Sequence, residues 1–123
     1  MNKKNKKMID DYCMTYTKAE SAILKKIRAH TIETEESPAM LSGPLVANFL
    51  QSIIKISKAK MILEIGMFTG YSAMAMAEVL SNDGKIHTCE LMDRHVTTAQ
   101  NFFNNCEYTD KIIIHHGTAL TTL

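Results

Sequence analysis

The amino-acid sequence predicts an α/β fold built on a parallel sheet. Three short apolar runs have the length and composition of buried strands, and helical segments separate them. The order strand–helix–strand–helix–strand favours parallel pairing with right-handed crossover connections. We therefore expect an incomplete parallel sheet, made of the first three strands of a larger one, with helices preceding it on the N-terminal side.

Two helices are predicted before the first strand. The first begins at a capping box, Thr17-Lys18-Ala19-Glu20, and runs to about Thr31. The basic residues that precede it are expected to form a solvated, frayed terminus. The second helix spans about Pro44 to Ser57, and its apolar residues recur at helical spacing. Its predicted buried stripe consists of Leu45, Phe49, Ile53 and Ile56.

The remaining elements alternate between strand and helix. Met61 to Ile65 is the first strand, and its apolar character predicts burial on both faces. A helix of small residues and methionines, Ser72 to Leu80, is suited to lie close on the sheet. A turn leads to the second strand, Lys85 to Glu90, and a helix over about Asp93 to Asn105 follows. Lys111 to His115 is the third strand.

A glycine turn follows the first strand and carries the strongest functional signal. Open α/β sheets bind nucleotide-like ligands where a strand ends in such a turn. Gly66 lets the backbone approach a ligand, and Gly70 can adopt a conformation that other residues avoid. Glu64 lies inside the apolar strand, so it needs donors or a cation, supplied by a ligand or by the backbone amides of the turn. Phe68 stands where the dinucleotide fingerprint has its second glycine, which makes a nicotinamide-dependent oxidoreductase a lesser alternative.

The segment Glu64-x-Gly-x-x-x-Gly-Tyr-Ser72 resembles motif I of the S-adenosylmethionine-dependent O-methyltransferases of the caffeoyl-CoA and catechol type. The resemblance covers about residues 38–123 and implies the N-terminal half of a Rossmann-like class I methyltransferase domain. Residues 1–37 are then an N-terminal helical extension. The other matching segments are Pro38–Gly43, Asn48–Leu50, Ala59–Lys60, Asp83–Ile86, Cys89–Glu90 and Gly117–Leu120.

The resemblance implies a site for S-adenosylmethionine. Glu64 and Gly66 would lie beneath its methionine part, and the Ser72 hydroxyl would hold its carboxylate, although Ser72 also suits a plain helix cap. Glu90 would accept hydrogen bonds from both ribose hydroxyls, against the alternative of an exposed acid at a strand end. The expected cofactor-binding residues are Met40, Glu64, Gly66, Gly70, Ser72, Glu90 and Ala119.

Two of these assignments have open alternatives. The segment Gly117–Leu120 resembles the one beside the adenine, but Thr118 stands where many relatives carry an aspartate. Met40 matches a segment that folds over the cofactor in relatives, and simple packing is nearly as good an explanation. Asp93 is a weaker candidate and is expected to cap the following helix.

No metal site and no catalytic residue are predicted in this chain. His115 and His116 are adjacent on a strand and point to opposite faces, so solvated side chains are expected. His30, His87 and His95 are interpreted as isolated. The divalent cation of the family, Mg²⁺ or Ca²⁺, is held by residues with no counterpart here. We therefore expect a fragment that carries the cofactor half and is inactive alone.

Composition narrows the function further. A net charge of +1 speaks against a nucleic-acid partner, and no apolar run approaches the roughly 20 residues of a membrane span. Three widely spaced cysteines suggest reduced thiols and a cytoplasmic location. The predicted function of the complete domain is methyl transfer to a hydroxyl of a small aromatic, catechol-like acceptor. The alternative is a non-catalytic interaction protein whose exposed sheet edge pairs with a second copy or with a complementing C-terminal half.

Overall fold

The computed structural model describes all residues, Met1–Leu123, and shows a three-stranded parallel sheet with strand order β1-β2-β3. Helices precede it and connect its strands, as predicted for an incomplete α/β fold. Short 3-10 turns lie at Pro38–Met40 and Thr109–Lys111. The elements are α1 (Lys3–Tyr16), α2 (Ala22–Thr34), α3 (Gly43–Ser57), β1 (Met61–Ile65), α4 (Tyr71–Ala77), β2 (Lys85–Glu90), α5 (Asp93–Asn104), β3 (Ile112–His116) and α6 (Ala119–Thr122).

Strand β2 is central, and β1 and β3 are the two edges. The register pairs Leu63 with His87 and His87 with Ile113, so these three residues form one row on one face. Strand β1 pairs with β2 alone, and its other edge carries no strand. The carboxyl ends of all three strands lie together, as a parallel sheet requires.

Helices cover one face of the sheet only. Ile62, Ile86 and Ile112 point towards the helices and pack into one apolar cluster with Ile54 of α3 and Leu80. The alternate residues of β1 point the other way: Met61 is 69% exposed, Leu63 49% and Ile65 64%. The prediction that β1 is buried on both faces is therefore wrong, because side chains alternate along a strand and no element covers the second face.

Helix α4 lies at the centre of the core. Its residues from Ala73 to Ala77 are buried, and small side chains let the neighbouring helices come close. Leu24 and Ile27 of α2 and Phe103 of α5 pack in the same cluster. The predicted close packing of this helix on the sheet is confirmed.

The N-terminal region differs from the prediction. Residues Lys3–Tyr16 form a helix with no buried residue, so the segment is solvated but not frayed. Thr17 ends this helix, and its hydroxyl donates to the Cys13 carbonyl at 2.6 Å. Helix α2 instead begins after Ser21, whose hydroxyl accepts from the Leu24 N–H. The predicted capping box is wrong because the Glu20 carboxylate pairs with Arg28 and Tyr71.

Helix α3 begins one residue before the predicted start and ends at the predicted residue, but it buries a different face. Ala47, Gln51 and Ile54 are buried, and the Gln51 amide donates to the Ala75 carbonyl at 2.7 Å. Of the predicted stripe only Leu45 is half-buried, and the other three residues are exposed. The prediction is wrong for those three, because α3 packs on the small residues of α4 through the Ala47 side. The residues left outside, here called the α3 outer face, are Val46, Phe49, Ile53 and Ile56, which are 45%, 65%, 46% and 83% exposed.

This exposed apolar surface bears on the membrane prediction. The stretch Pro38–Ser57 is 20 residues long and apolar enough to pass as a membrane span by length and composition alone. The sequence prediction had found no such stretch. A single segment of this kind is weak evidence for a span, since core helices of soluble proteins meet the same measure.

Candidate functional site

Three adjoining hollows surround Gly66 where the strands end. The first, here the Ser72 hollow, has a volume of about 40 Å³ and contains Met40, Ser42 and Ser72 in its wall. The second, the His95 hollow, measures about 380 Å³. The third, the Ala119 hollow, measures about 290 Å³ and is lined by the segment Gly117–Ala119. Gly66 lines all three, and the His95 hollow shares further residues with each of the other two. The three therefore adjoin with the His95 hollow in the middle, and together they are here called the cleft.

The turn after β1 gives the cleft its opening. Gly66 has φ +87°, and a Cβ placed on it would meet no atom within 4 Å, so any side chain there would enter the cleft. The N–H groups of Gly66 and Met67 both donate to the Cys89 carbonyl, at 3.0 and 3.1 Å. The turn is therefore fastened to the end of β2, with the open side of Gly66 free for a ligand.

Gly70 differs from Gly66 because it packs against α5 and does not face open space. Its φ of +91° favours glycine, and an added Cβ would lie 2.7 Å from the Phe103 ring and 3.0 Å from Ala99. Gly70 thus lets α4 start close against α5 and lines none of the three hollows. The structure places it behind the cleft instead of in its wall.

Glu64 lies beneath the start of α4. It accepts hydrogen bonds from the Ser72 hydroxyl and from the Thr88 hydroxyl, the latter at 2.5 Å. Burial raises the pKa of Glu64, the two hydroxyl donors oppose that rise, and the nearby Glu90 charge adds to it. The Glu64 carboxyl contacts neither the turn amides nor the hollows, and it orients the Ser72 side chain.

Glu90 closes the site from the end of β2. One carboxylate oxygen accepts from the Phe68 N–H at 2.8 Å, and the other accepts from the N–H groups of Leu91 and Met92, both at 2.9 Å. Burial alone would raise the pKa of Glu90, but the hydrogen bonds from Met92 and Phe68 and the neighbouring His95 outweigh it and lower the pKa. Glu90 is therefore a fixed anion in the wall of the His95 and Ala119 hollows.

His95 is not isolated, so the prediction from the sequence is wrong for this residue. Its ring is buried, with Nε2 3.2 Å from Glu35 Oε2 and Nδ1 3.5 Å from Glu90 Oε1. The Phe68 ring meets it edge to face, with the ring centroids 4.7 Å apart. The available signal was its place in the first turn of α5, five residues after the strand-end acid Glu90.

The remaining predicted residues lie around these. Met40 is 66% exposed and borders the Ser72 and His95 hollows. Ala119 begins α6 at the far end of the cleft. The Gly117 N–H donates to the Glu90 carbonyl at 2.9 Å, which ties the end of β3 to that of β2. The structure thus brings Met40, Gly66, Ser72, Glu90 and Ala119 to one cleft.

The other polar predictions change in detail. Asp93 makes no cap, because its carboxylate pairs with His116 Nε2 at 2.7 Å. His115 does point away from His116, but it bonds to His87 at 2.8 Å instead of standing solvated, so His87 is not isolated either. No group of three or more His, Cys, Asp or Glu side chains is placed to hold a metal ion.

Comparison with known proteins finds relatives that are named as O-methyltransferases. The O-methyltransferase family model matches residues 14–123. An O-methyltransferase of Aspergillus thermomutatus is 30% identical over 116 residues, which are 94% of this chain and 48% of the relative. Catechol O-methyltransferase domain-containing protein 1 of Mus musculus is 30% identical over 112 residues, covering 91% of this chain and 42% of the relative. The chain thus spans less than half the length of these relatives.

Solved structures agree in fold. The O-methyltransferase from Bacillus cereus in complex with S-adenosylhomocysteine (SAH) superposes with a TM-score of 0.83 at 27% identity, over 94% of this chain and 52% of that one. A SAH-bound methyltransferase of Podospora anserina gives a TM-score of 0.91 at 24% identity, over 100% of this chain and 54% of that one, and shows the fold. The fold is that of the Rossmann-like methyltransferases, and the chain belongs to the O-methyltransferase family.

Proposed function

We propose that this chain is the S-adenosylmethionine-binding part of an O-methyltransferase. The observation that best supports this proposal is the cleft, in which three hollows adjoin in a row and Gly66 lines all three. S-adenosylmethionine is a row of three chemical parts, an amino acid, a ribose and an adenine. The order of the hollows matches that order, and a relative of 27% identity was solved with SAH bound.

Each hollow suits one part of the cofactor. The Ser72 hollow takes the amino-acid end, with Met40 at its rim. The Ala119 hollow takes the adenine, whose flat ring suits a wall made largely of backbone and small side chains. Gly66 lies between them, where only a residue without a side chain leaves the middle of the cofactor its space.

Glu90 faces the ribose in the middle of the row. A carboxylate offers about four positions for hydrogen bonds, and backbone N–H groups occupy three of them. The oxygen that faces His95 already accepts from two N–H groups, so the open position for a ribose hydroxyl is on the oxygen that accepts from Phe68. That is one position fewer than the resemblance implies. Since the lowered pKa keeps Glu90 ionised at neutral pH, that bond is charge-assisted and stronger than a neutral one.

The whole protein's reaction belongs to the same proposal. S-adenosylmethionine would supply the methyl group, which would pass from its sulfur to the hydroxyl oxygen of a small aromatic acceptor, with SAH as the leaving group and the hydroxyl proton released to solvent. The residues of this chain do not fit a Mg²⁺ or Ca²⁺ site, and we assign no step to a cation. The residues of this chain form a cofactor cleft without an acceptor pocket, so the chain alone binds the cofactor without catalysing methyl transfer. The proposed location is the cytoplasm.

Calorimetric titration of the 1–123 chain with SAH tests the proposal, with NAD as the competing ligand. We expect one SAH per chain and no heat from NAD. Glu90→Gln should weaken SAH binding at least about tenfold, since it removes a charge-assisted bond and disturbs the turn. Glu107→Gln, an exposed site outside the cleft, is the matched control and should bind as the unaltered chain does. Binding of NAD without SAH would refute the proposal.

The free edge of β1 favours a second candidate function, an interaction module. Its outer edge is unpaired, and Met61, Leu63 and Ile65 are exposed beside it, the arrangement through which strands add to a sheet. The partner would be a second copy or a complementing C-terminal half. Light scattering after size exclusion tests it: Leu63→Lys should dissolve a dimer that Ile56→Lys leaves intact. A monomer that binds SAH counts against this candidate.

A further inference from the structure

We infer that His95 is a positioning residue for Glu90, and that it couples the ribose-facing carboxylate to Glu35 at the end of α2. The inference rests on the proposed function, because it concerns how Glu90 meets a ribose. It assigns a role to two residues, His95 and Glu35, that lie outside motif I and outside the expected cofactor set.

The ring of His95 is held between two acids. His95 is 6% exposed, and its two nitrogens face Glu35 Oε2 at 3.2 Å and Glu90 Oε1 at 3.5 Å. The backbone around it is fixed, since its N–H donates to the Met92 carbonyl at 3.0 Å. The imidazole therefore bridges a carboxylate at the end of β2 and one from the end of α2.

Few other groups face these two acids. The Glu35 side chain is 7% exposed, and its remaining charged partner is Arg94, 3.2 Å away and 56% exposed. Glu90 has its three backbone donors and the His95 ring. Because a buried carboxylate needs donors, removal of His95 leaves Glu35 with one solvent-screened partner and frees one side of Glu90.

The same ring also supports the wall of the cleft. It lines the His95 hollow together with Phe68 and Glu90, and the Phe68 ring rests edge-on against it. Without the imidazole, the Glu90 carboxylate and the Phe68 ring both gain freedom on the side that meets the ribose. The amino-acid and adenine ends of the cleft contain no His95 contact.

The consequence is a selective loss of ribose recognition. A variant without the imidazole should bind ligands that carry ribose hydroxyls less tightly, and it should treat ligands without them as the unaltered chain does. A residue that merely stabilised the fold would weaken both kinds of ligand together.

Adenosine and 2′,3′-dideoxyadenosine, titrated into the full 1–123 chain beside SAH, separate these cases. His95→Ala should raise the Kd for adenosine and for SAH by about three- to tenfold, the range of one lost hydrogen bond, and leave dideoxyadenosine unchanged. His95→Asn keeps a donor near the δ position and should recover much of the loss. Glu35→Gln should raise the Kd for adenosine about twofold. His30→Ala, which removes a half-buried ring packed on Phe102, is the control.

The possible outcomes distinguish the positioning role of His95 from the proposed function of the chain. If the unaltered chain binds SAH and His95→Ala binds both nucleosides as the unaltered chain does, the positioning role is overturned and the proposed function stands. An equal loss for both nucleosides also overturns it in favour of a purely structural role. If the unaltered chain binds no SAH, the proposed function and this inference fall together. Should His95→Ala fail to fold, Glu35→Gln decides by the same comparison.

Discussion

The backbone N–H of Phe68 donates a hydrogen bond of 2.8 Å to the carboxylate of Glu90. Phe68 has φ +53°, a left-handed conformation that is uncommon for an aromatic residue. The turn after β1 therefore takes the backbone shape that glycine would give, and Glu90 at the end of β2 holds it there. The aromatic ring, which glycine could not supply, packs on His95.

This relationship makes Glu90→Gln a test of stability as well as binding. The amide cannot accept at both oxygens, so either Phe68 or the Leu91 and Met92 pair loses its acceptor. We expect the free energy of unfolding to fall by about 1–3 kcal/mol, measured by urea denaturation. An unchanged denaturation midpoint would show that the turn holds its shape without the carboxylate.

Glu64 and Glu90 predict opposite pH dependences of stability. The folded pKa of Glu90 lies below its ordinary value of 4.5, so its contribution is complete above pH 4.5 and is lost as the pH falls through the folded pKa. The folded pKa of Glu64 lies above 4.5, so its contribution is complete below that pH and is lost as the pH rises through the folded pKa.

Melting temperatures measured across the acidic range check this. Glu64→Gln should remove the decline that begins above pH 4.5, so the variant gains stability relative to the unaltered chain as the pH rises towards neutrality. Glu90→Gln should be less sensitive to acid below pH 4.5. Curves that run parallel to that of the unaltered chain would contradict the assigned directions.

Alanine at the two turn glycines should separate packing from binding. Both have positive φ, so both variants carry a backbone cost of about 1–2 kcal/mol. Gly70→Ala adds a clash at 2.7 Å with the Phe103 ring and should lower the melting temperature further. Gly66→Ala meets open space, so it should fold better and yet lose SAH affinity. Equal melting temperatures would argue against the packing at Gly70.

Two substitutions test which face of α3 is buried. Ile54 is 6% exposed, and Ile54→Ala should cost about 2–4 kcal/mol through the cavity it leaves. Phe49 is 65% exposed, and Phe49→Ser should change stability by less than about 0.5 kcal/mol. Urea denaturation measures both. A large loss for Phe49→Ser would restore the face predicted from the sequence or reveal a partner on the α3 outer face.

Local patterns in the sequence determined the strands, the helices between them and the place of the cleft, but not helix α1. The bounds predicted for β2 agree residue for residue with Lys85–Glu90, and those of α3 differ by one residue. A glycine at positive φ is required by its own backbone, and the place of an acid at a strand end follows from the strand itself, so both could be found without knowing the neighbours. The proximity of Gly66 and Glu90 could also be predicted, because neighbouring parallel strands end at the same edge of the sheet.

Tertiary structure decided what each face meets. The stripes of β1 and α3 have the right period, but which side is buried depends on where the helices lie, and they cover one face of the sheet. Glu35 and His95 stand 60 residues apart, so no local pattern could pair them. Periodicity and turn chemistry are local properties of the chain, whereas burial and ion pairing arise only once distant elements pack against each other.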